Sequence, residues 1–103
     1  MNKVSPKKSD DGTLVGYVFH CPGCKHGHIY YVSGPTTWSF NGDLDRPTFT
    51  PSLLNTCDNH PDPKQRRCHL HVTDGQIAFC ADCSHDLAGQ TVPMPDRCAG
   101  DAP

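Results

Sequence analysis

The sequence predicts a small, mostly-β domain made of short hairpins with little helix. Its 103 residues suit a single domain. Ten prolines and nine glycines are spread along the chain, which disfavours long helices. Hydrophobic residues make up only 35% of the chain, so the core is small. Small domains of this kind are commonly reinforced by a metal ion or by disulfides.

Two Cys-x-x-Cys pairs predict that the reinforcement is a metal. Cys21–Cys24 and Cys80–Cys83 have the spacing of thiolates that share one tetrahedral ion, most often zinc. The Pro-Gly between the first two cysteines suits a tight turn, and strand-forming residues lie on both sides of it, over 14–19 and 29–32. This arrangement is typical of zinc-knuckle or zinc-ribbon-like hairpins. A redox-active pair would instead open a helix.

The sequence does not decide which residues complete the metal site beside Cys21 and Cys24. Spacing favours Cys80 and Cys83, whereas Cys68, His69 and His85 are rivals. If either Cys80 or Cys83 is only a buried thiol, Cys68 or His69 would complete the shell.

The remaining segments follow from turn signals and composition. We expect a flexible N-terminal arm over 1–12, because those residues are polar, and a single zinc-stabilised β domain over 13–93. Residues 94–103 are expected to form a C-terminal tail. Within the domain we expect a knuckle hairpin over 14–33, an alternating strand over 36–40, an extended Pro-rich segment over 47–54, a surface loop over 55–67, a hairpin over 67–80, one helical turn over 84–89 and a short strand over 90–92.

The second hairpin has a predictable register. If Asp74 and Gly75 are its two loop residues, Leu70 faces Phe79 on an apolar side. On the other side His69 lies beside Cys80, within reach of a shared metal. Because neighbouring residues of a strand point to opposite faces, Cys68 and His69 would not bind one ion.

Two segments carry residues suited to catalysis. His85 lies close to the metal knuckle in sequence, and Asp82 or Asp86 could orient it as a general base. The alternative, which the residues alone favour, is that His85 is an exposed loop histidine and Asp82 fills a turn. Ser52, in a Pro-flanked stretch, is a possible nucleophile, although serine is ordinary in such a turn. Trp38, Phe40 and Phe49 are expected in the core.

Charge and cysteine usage bear on compartment and partners. The formal net charge is −2, and four thiolates with one zinc ion would make it about −4, which argues against nucleic acid as the main partner. An odd number of cysteines, seven, with metal-like spacing and no visible signal peptide indicates a reducing cytoplasm, where Cys57 and Cys98 can stay thiols. We expect no membrane segment and a protein or peptide as the partner.

Seven short motifs, in order, resemble a family of small Cys/His proteins of phages and prophages. The motifs are Cys21-Pro22-Gly23-Cys24 with His28, Trp38-Ser39-Phe40-Asn41-Gly42, Pro47-Thr48-Phe49-Thr50-Pro51-Ser52, Cys68-His69, Asp74-Gly75, Asp82-Cys83-Ser84-His85 and Leu87-Ala88-Gly89-Gln90-Thr91-Val92. More distant relatives are suspected peptidases of bacterial ubiquitin-like systems. The resemblance implies a metal site that includes Cys68, a phage or host cytoplasmic setting, and active-site roles for Ser52, His69, Asp82 and His85.

Two functions follow as hypotheses. The first is a zinc-containing hydrolase acting on peptide or isopeptide-like bonds, either through a metal-activated water or through Ser52 with a histidine. The second is a non-catalytic, zinc-stabilised module that binds a host protein. Four cysteine ligands would close the metal site and leave no place for water, which favours the second hypothesis over metal-based hydrolysis.

Overall fold

The computed structural model describes residues 2–35 and 37–97, which form two antiparallel β-sheets. The first sheet has three strands in the order β1-β2-β3, and the second has five in the order β4-β5-β6-β7-β8. The expected small, mostly-β class is therefore confirmed. Cys98 lies outside the described residues, as does Thr36 at the start of the strand expected over 36–40.

The first sheet is built around the knuckle turn. Its strands are β1 (Ser5–Lys8), β2 (Leu14–Cys21) and β3 (His26–Tyr31). Strands β2 and β3 pair from Gly16 with Tyr31 to Cys21 with His26, so the knuckle caps the hairpin. Lys25 adopts a left-handed backbone, φ 64°, and its N–H donates to the Cys21 carbonyl at 2.7 Å, which closes the turn.

The first and last described segments pack more closely than their composition indicates. Strand β1 lies within the expected flexible arm and pairs with β2, and the preceding Val4 is fully buried. At the other end Met94 is buried, and the Arg97 N–H donates to the Asn2 carbonyl at 2.8 Å. The two segments are therefore hydrogen-bonded to each other, and each is anchored to the core because it buries an apolar residue.

The second sheet carries most of the sequence motifs. Its strands are β4 (Ser39–Phe40), β5 (Phe49–Thr56), β6 (Arg67–Thr73), β7 (Gln76–Phe79) and β8 (Thr91–Pro93), with one 3₁₀ turn over Pro63–Gln65. Of the expected strand over 36–40, the described residues 37–40 are paired at Ser39 and Phe40 only. Residues 84–89 form hydrogen-bonded turns rather than a helical turn.

The β6–β7 hairpin has the predicted register. Leu70 pairs with Phe79 and Val72 with Ile77, with Asp74 and Gly75 as the loop. Both loop residues have positive φ, 52° and 77°, as the mirror-image turn of a two-residue hairpin requires.

Aromatic rings join the two sheets. Tyr30 of the first sheet stacks on Phe49 of the second, with ring centroids 4.1 Å apart, and Phe40 stacks on the same Phe49 at 4.6 Å. Phe49 is buried, and Trp38 and Phe40 pack partly buried against the core, as expected. Cys21, Cys24 and Cys68 belong to this same core. Within the described residues, no helix is long and apolar enough to cross a membrane.

Candidate active site and metal cluster

Three buried cysteines from both sheets form a cluster. Cys21 and Cys24 lie on the knuckle, where the Cys24 N–H donates to the Cys21 sulfur at 3.4 Å. Cys68, on β6, brings its sulfur to 3.9 Å from that of Cys21. None of the three forms a disulfide. Thiolates around one zinc ion, each at about 2.3 Å from it, lie at comparable separations.

His28 supplies a fourth donor to this cluster. It lies on β3, only 7% exposed, and its buried Nε2 has no hydrogen-bond partner among the residues that the structure describes. One donor atom from each of Cys21, Cys24, Cys68 and His28 lies within 4.8 Å of the others. A buried imidazole nitrogen without a partner is costly unless something binds it. The donor set therefore fits a metal ion, and with four protein donors such a site would be closed.

The pKa shifts of the thiols are also consistent with a metal ion at this cluster. Hydrogen bonds from the Cys24 and Cys68 side chains lower the pKa of Cys21 far below its usual range. The same packing raises the pKa of Cys68, chiefly through the Cys21 side chain. Without a cation one thiolate suppresses the ionisation of its neighbours, whereas a bound cation would let all of them ionise.

His85 lies beside the cysteine cluster, not beside Ser52. Its Nε2 is 3.4 Å from the Cys68 sulfur, and its Nδ1 accepts a hydrogen bond from the Leu87 N–H at 3.2 Å. Since Nδ1 is the acceptor, the neutral ring carries its proton on Nε2 and donates it to the Cys68 sulfur. Burial lowers the pKa of His85, which favours this neutral form. His85 is therefore placed to support a metal ligand from outside the shell.

The second Cys-x-x-Cys pair is divided between two places. Cys83 is buried behind β6, where its sulfur accepts from the His69 N–H at 3.3 Å, and one donor atom each of Cys68, Cys83 and His85 lies within 4.8 Å of the others. Cys80 is half-buried and lies near His69 and Asp82 instead. Cys68 and His69 point to opposite faces of β6, as the alternation of a strand requires, and this separates the two groups of donors.

Ser52, His69 and Asp82 come together on the other face of β6. The Ser52 Oγ lies 3.1 Å from the His69 Nε2, and the His69 Nδ1 lies 3.3 Å from both carboxylate oxygens of Asp82. The arrangement has the geometry of a serine-hydrolase triad, in which a serine nucleophile contacts a histidine base and a carboxylate orients that base. The histidine–carboxylate distance is long, as it often is in the absence of substrate.

An irregularity in the sheet presents Ser52 to His69. Phe49 pairs with Val72 and Leu53 with Leu70, so residues 50–52 lie opposite the single residue His71. Extra residues of this kind re-aim side chains near active sites. The Trp38 indole N–H donates to the Ser52 carbonyl at 3.1 Å, and the Thr50–Pro51 peptide bond is cis. The hydrogen bond and the cis peptide bond both involve the backbone of the segment that presents the Ser52 hydroxyl.

Arg67 and Ser84 hold Asp82 opposite His69. Arg67 donates to Asp82 Oδ2 through its Nε at 2.8 Å and through a terminal nitrogen at 2.7 Å. These hydrogen bonds are the main cause of the lowered pKa of Asp82, and His69 contributes. Ser84 ties its loop to β6, because its hydroxyl accepts from the Arg67 N–H at 2.9 Å. Asp82 is therefore an anchored anion.

Ser52 and His69 lie half-buried on an open face of the second sheet, where the neighbouring His71 and Asp82 are exposed. Two clefts of about 280 and 360 Å³ flank the cysteine cluster, and neither includes Ser52. Beside the pair lies Leu54, which is 47% exposed and is paired with His69 across the sheet. An exposed large apolar residue next to a nucleophile is a candidate contact for a substrate. An open face suits a polypeptide better than a small enclosed ligand.

Sequence reasoning missed three residues of these sites as contributors. His28 was noted only as part of the resemblance, although its place four residues after Cys24 was a usable signal. The sequence places Arg67 only where a surface loop meets a hairpin, and it predicts no role for Trp38 beyond the core. Arg67 contacts a residue 15 positions away in the chain and Trp38 one 14 positions away, so no local sequence pattern predicts these contacts.

Comparison with known proteins identifies a family. A family model described as bacterial ubiquitination-like system serine protease (BubE) matches residues 2–80, which is 79 of the 103 residues. The match includes Ser52 and His69 and ends two residues before Asp82. Neither the curated proteins nor the solved structures contain a significant match. The suspected relation to peptidases of bacterial ubiquitin-like systems is thus confirmed, and the chain belongs to the BubE family.

Proposed function

We propose that the protein is a serine hydrolase that cleaves peptide or isopeptide bonds in a ubiquitin-like system. The observation that carries this proposal is the 3.1 Å contact between the Ser52 hydroxyl and the His69 Nε2, with Asp82 behind the ring. The description of the family as serine proteases supports it. The open face around Ser52 supports a protein as the substrate.

The arrangement performs acyl transfer in two steps. His69 Nε2 removes the hydroxyl proton as the Ser52 Oγ attacks the substrate carbonyl. The protonated ring then gives that proton to the departing amine, which leaves an ester on Ser52. Water, deprotonated by the same nitrogen, then attacks the ester carbonyl, and the ring returns the proton to the Ser52 Oγ as the ester bond breaks and the acid is released. Asp82, kept anionic by Arg67, stabilises the ring while it carries the charge.

We assign the metal a structural role and propose that it is zinc. Cys21, Cys24, Cys68 and His28 would hold it, and a bound zinc ion would join the knuckle of the first sheet to β6 of the second. Four protein donors leave no position for a water, so the metal-activated water considered from the sequence has no support in this donor set. Such thiolates are stable in a reducing cytoplasm, where we propose the protein works.

Labelling with a fluorophosphonate probe tests the nucleophile directly. We expect the probe to modify one serine per chain, and Ser52→Ala and His69→Gln to reduce the labelling rate by at least about a thousandfold. Both variants should keep the wild-type metal content and melting temperature. Ser39→Ala, an exposed serine on β4, is the matched control and should label normally.

The same variants should be compared on protein substrates. Cleavage of a ubiquitin-like protein fused through a peptide or an isopeptide bond should require Ser52 and His69. If folded wild-type protein is neither labelled nor active, while it still binds a protein partner, the binding-module hypothesis replaces the hydrolase.

A further inference from the structure

Cys80 has no place in the buried cluster but lies next to the proposed catalytic residues. One donor atom each from His69, Cys80 and Asp82 lies within 4.8 Å of the other two. Cys80 and His69 are half-buried and Asp82 is exposed, so an ion from solvent can reach all three. The buried cluster lies behind β6, and this second group lies in front of it. The two groups share no residue.

The three side chains are a donor set for a borderline-soft cation. A thiolate, an imidazole and a carboxylate are the ligand types that zinc takes, and three of them leave a position for water. Asp82 has one oxygen to offer. Arg67 binds Oδ2 at 2.8 and 2.7 Å, whereas the partner of Oδ1 is His69 at the longer distance of 3.3 Å. The nearby guanidinium charge opposes a cation, so the affinity should be modest and the binding reversible.

We propose that His69, Cys80 and Asp82 form a second zinc site that inhibits the enzyme. This inference rests on the proposed function for the inhibition, but not for the binding. Zinc on the His69 Nδ1 would fix the ring proton on Nε2, the nitrogen that must accept the proton of Ser52. Zinc on Nε2 would displace the Ser52 hydroxyl. In either case the base is lost, and removal of the zinc restores it.

Binding can be measured without any activity. Protein loaded with one equivalent of zinc at the buried cluster is titrated with Co²⁺ or Cd²⁺, and the sulfur-to-metal charge-transfer absorbance is followed. We expect a second equivalent to bind in the wild-type protein and in Cys57→Ser, which removes an exposed thiol. We expect the second equivalent to be lost in Cys80→Ser and in Cys80→Ala, with the first retained.

Inhibition is then measured by fluorophosphonate labelling across buffered free zinc concentrations. Each variant is normalised to its own rate at the lowest free zinc. We expect wild-type and Cys57→Ser labelling to fall by about tenfold or more at micromolar free zinc, and Cys80→Ser to need at least about tenfold more zinc for the same effect.

The outcomes separate this proposal from the proposed function. Labelling that is insensitive to zinc, in a protein that binds one metal only, overturns the second site and leaves the hydrolase intact. A second equivalent that binds equally well to Cys80→Ser also overturns it. Loss of all labelling at every zinc concentration, with Cys80-dependent binding of a second metal, overturns the hydrolase and the inhibition but supports the metal site.

Discussion

Single contacts distinguish the candidate catalytic residues of this small protein from similar residues elsewhere in the chain. Ser52 is an ordinary turn serine by sequence, yet its hydroxyl lies against the one ring nitrogen of His69 that can take its proton. His85, an equally suitable base by sequence, has its Nδ1 occupied by a backbone N–H and its Nε2 against a sulfur. The difference between the two histidines is therefore one of hydrogen-bond partners, not of residue type.

Arg67 is expected to act as a positioning residue. Arg67→Gln removes the cation that holds Asp82, so we expect kcat to fall about tenfold with little change in KM, and Arg67→Lys to recover part of the loss. Steady-state kinetics on a cleaved substrate measures both constants. Arg66→Gln is the matched control, because Arg66 donates to the His60 carbonyl rather than to Asp82.

The ion pair between Arg67 and Asp82 should make the stability of the fold depend on pH. Arg67 lowers the pKa of Asp82 below its unfolded value of about 3.9. The stabilisation is therefore fully present above about pH 4 and is lost as the pH falls through the lower folded pKa. Urea unfolding should show a gap in free energy between wild type and Arg67→Gln at pH 6 that shrinks toward pH 3. An unchanged gap at pH 3 would show that Arg67 stabilises the fold by packing instead.

Leu54 is expected to contact the substrate. Its exposed side chain lies beside His69, so Leu54→Asp should raise KM for a protein substrate by about tenfold, while labelling by the small fluorophosphonate stays near the wild-type rate. Tyr31→Ser removes the comparable exposed residue of the other sheet and serves as the control. Equal effects of the two substitutions would argue against a role for Leu54 in recognition.

At the level of elements, β6 separates the two sites. Its alternation points Cys68 to the buried cluster and His69 to Ser52, so one strand carries a residue of the proposed metal site behind it and a residue of the proposed catalytic group in front. The loop after β7 does the same, since Cys83 and His85 lie behind β6 while Asp82 lies in front. Displacement of either element should therefore affect both sites.

The knuckle turn offers a test of this coupling. A side chain at Gly23 would overlap the His85 ring, so Gly23→Ala should push the ring away from Cys68 and destabilise the fold by about 1–3 kcal/mol. Chemical unfolding of the zinc-loaded protein measures the change. In a His85→Ala background the same glycine substitution should cost much less, and additive costs would show that the clash lies elsewhere.

At the level of the whole molecule, two kinds of contact join the sheets. One is the aromatic stack of Tyr30 on Phe49, and the other is the cluster of Cys21, Cys24, His28 and Cys68. A core this small gives limited stability by itself, so a bound metal should add a large share.

Metal removal should therefore destabilise the fold and reduce the activity. A strong chelator is expected to lower the melting temperature by 10 °C or more, about the effect of a loss of several kcal/mol in a domain of this size. Fluorophosphonate labelling should be lost in parallel, because β6 carries His69. Stoichiometric zinc should restore both. Unchanged labelling of a metal-free, folded protein would contradict a structural role for the metal.

The sequence by itself determined the local features of this protein. Strand-forming residues around Pro22-Gly23 determined the knuckle hairpin, and Asp74-Gly75 determined the register of β6 with β7. These features depend on residues a few positions apart, whose turn geometry and alternation are readable from residue type. The same alternation predicted that Cys68 and His69 would not bind one ion, and the two side chains do lie on opposite faces of β6.

The tertiary structure decided which donors share a site. Cys80 and Cys83 have an ideal spacing, yet they lie in different groups, and the donors beside Cys21 and Cys24 are instead Cys68 and His28. Ser52 and His69 are 17 residues apart in the chain, and they come into contact only because β5 pairs irregularly with β6. Such contacts depend on how sheets pack and where a strand bulges, which is set by burial across the whole core rather than by any local pattern.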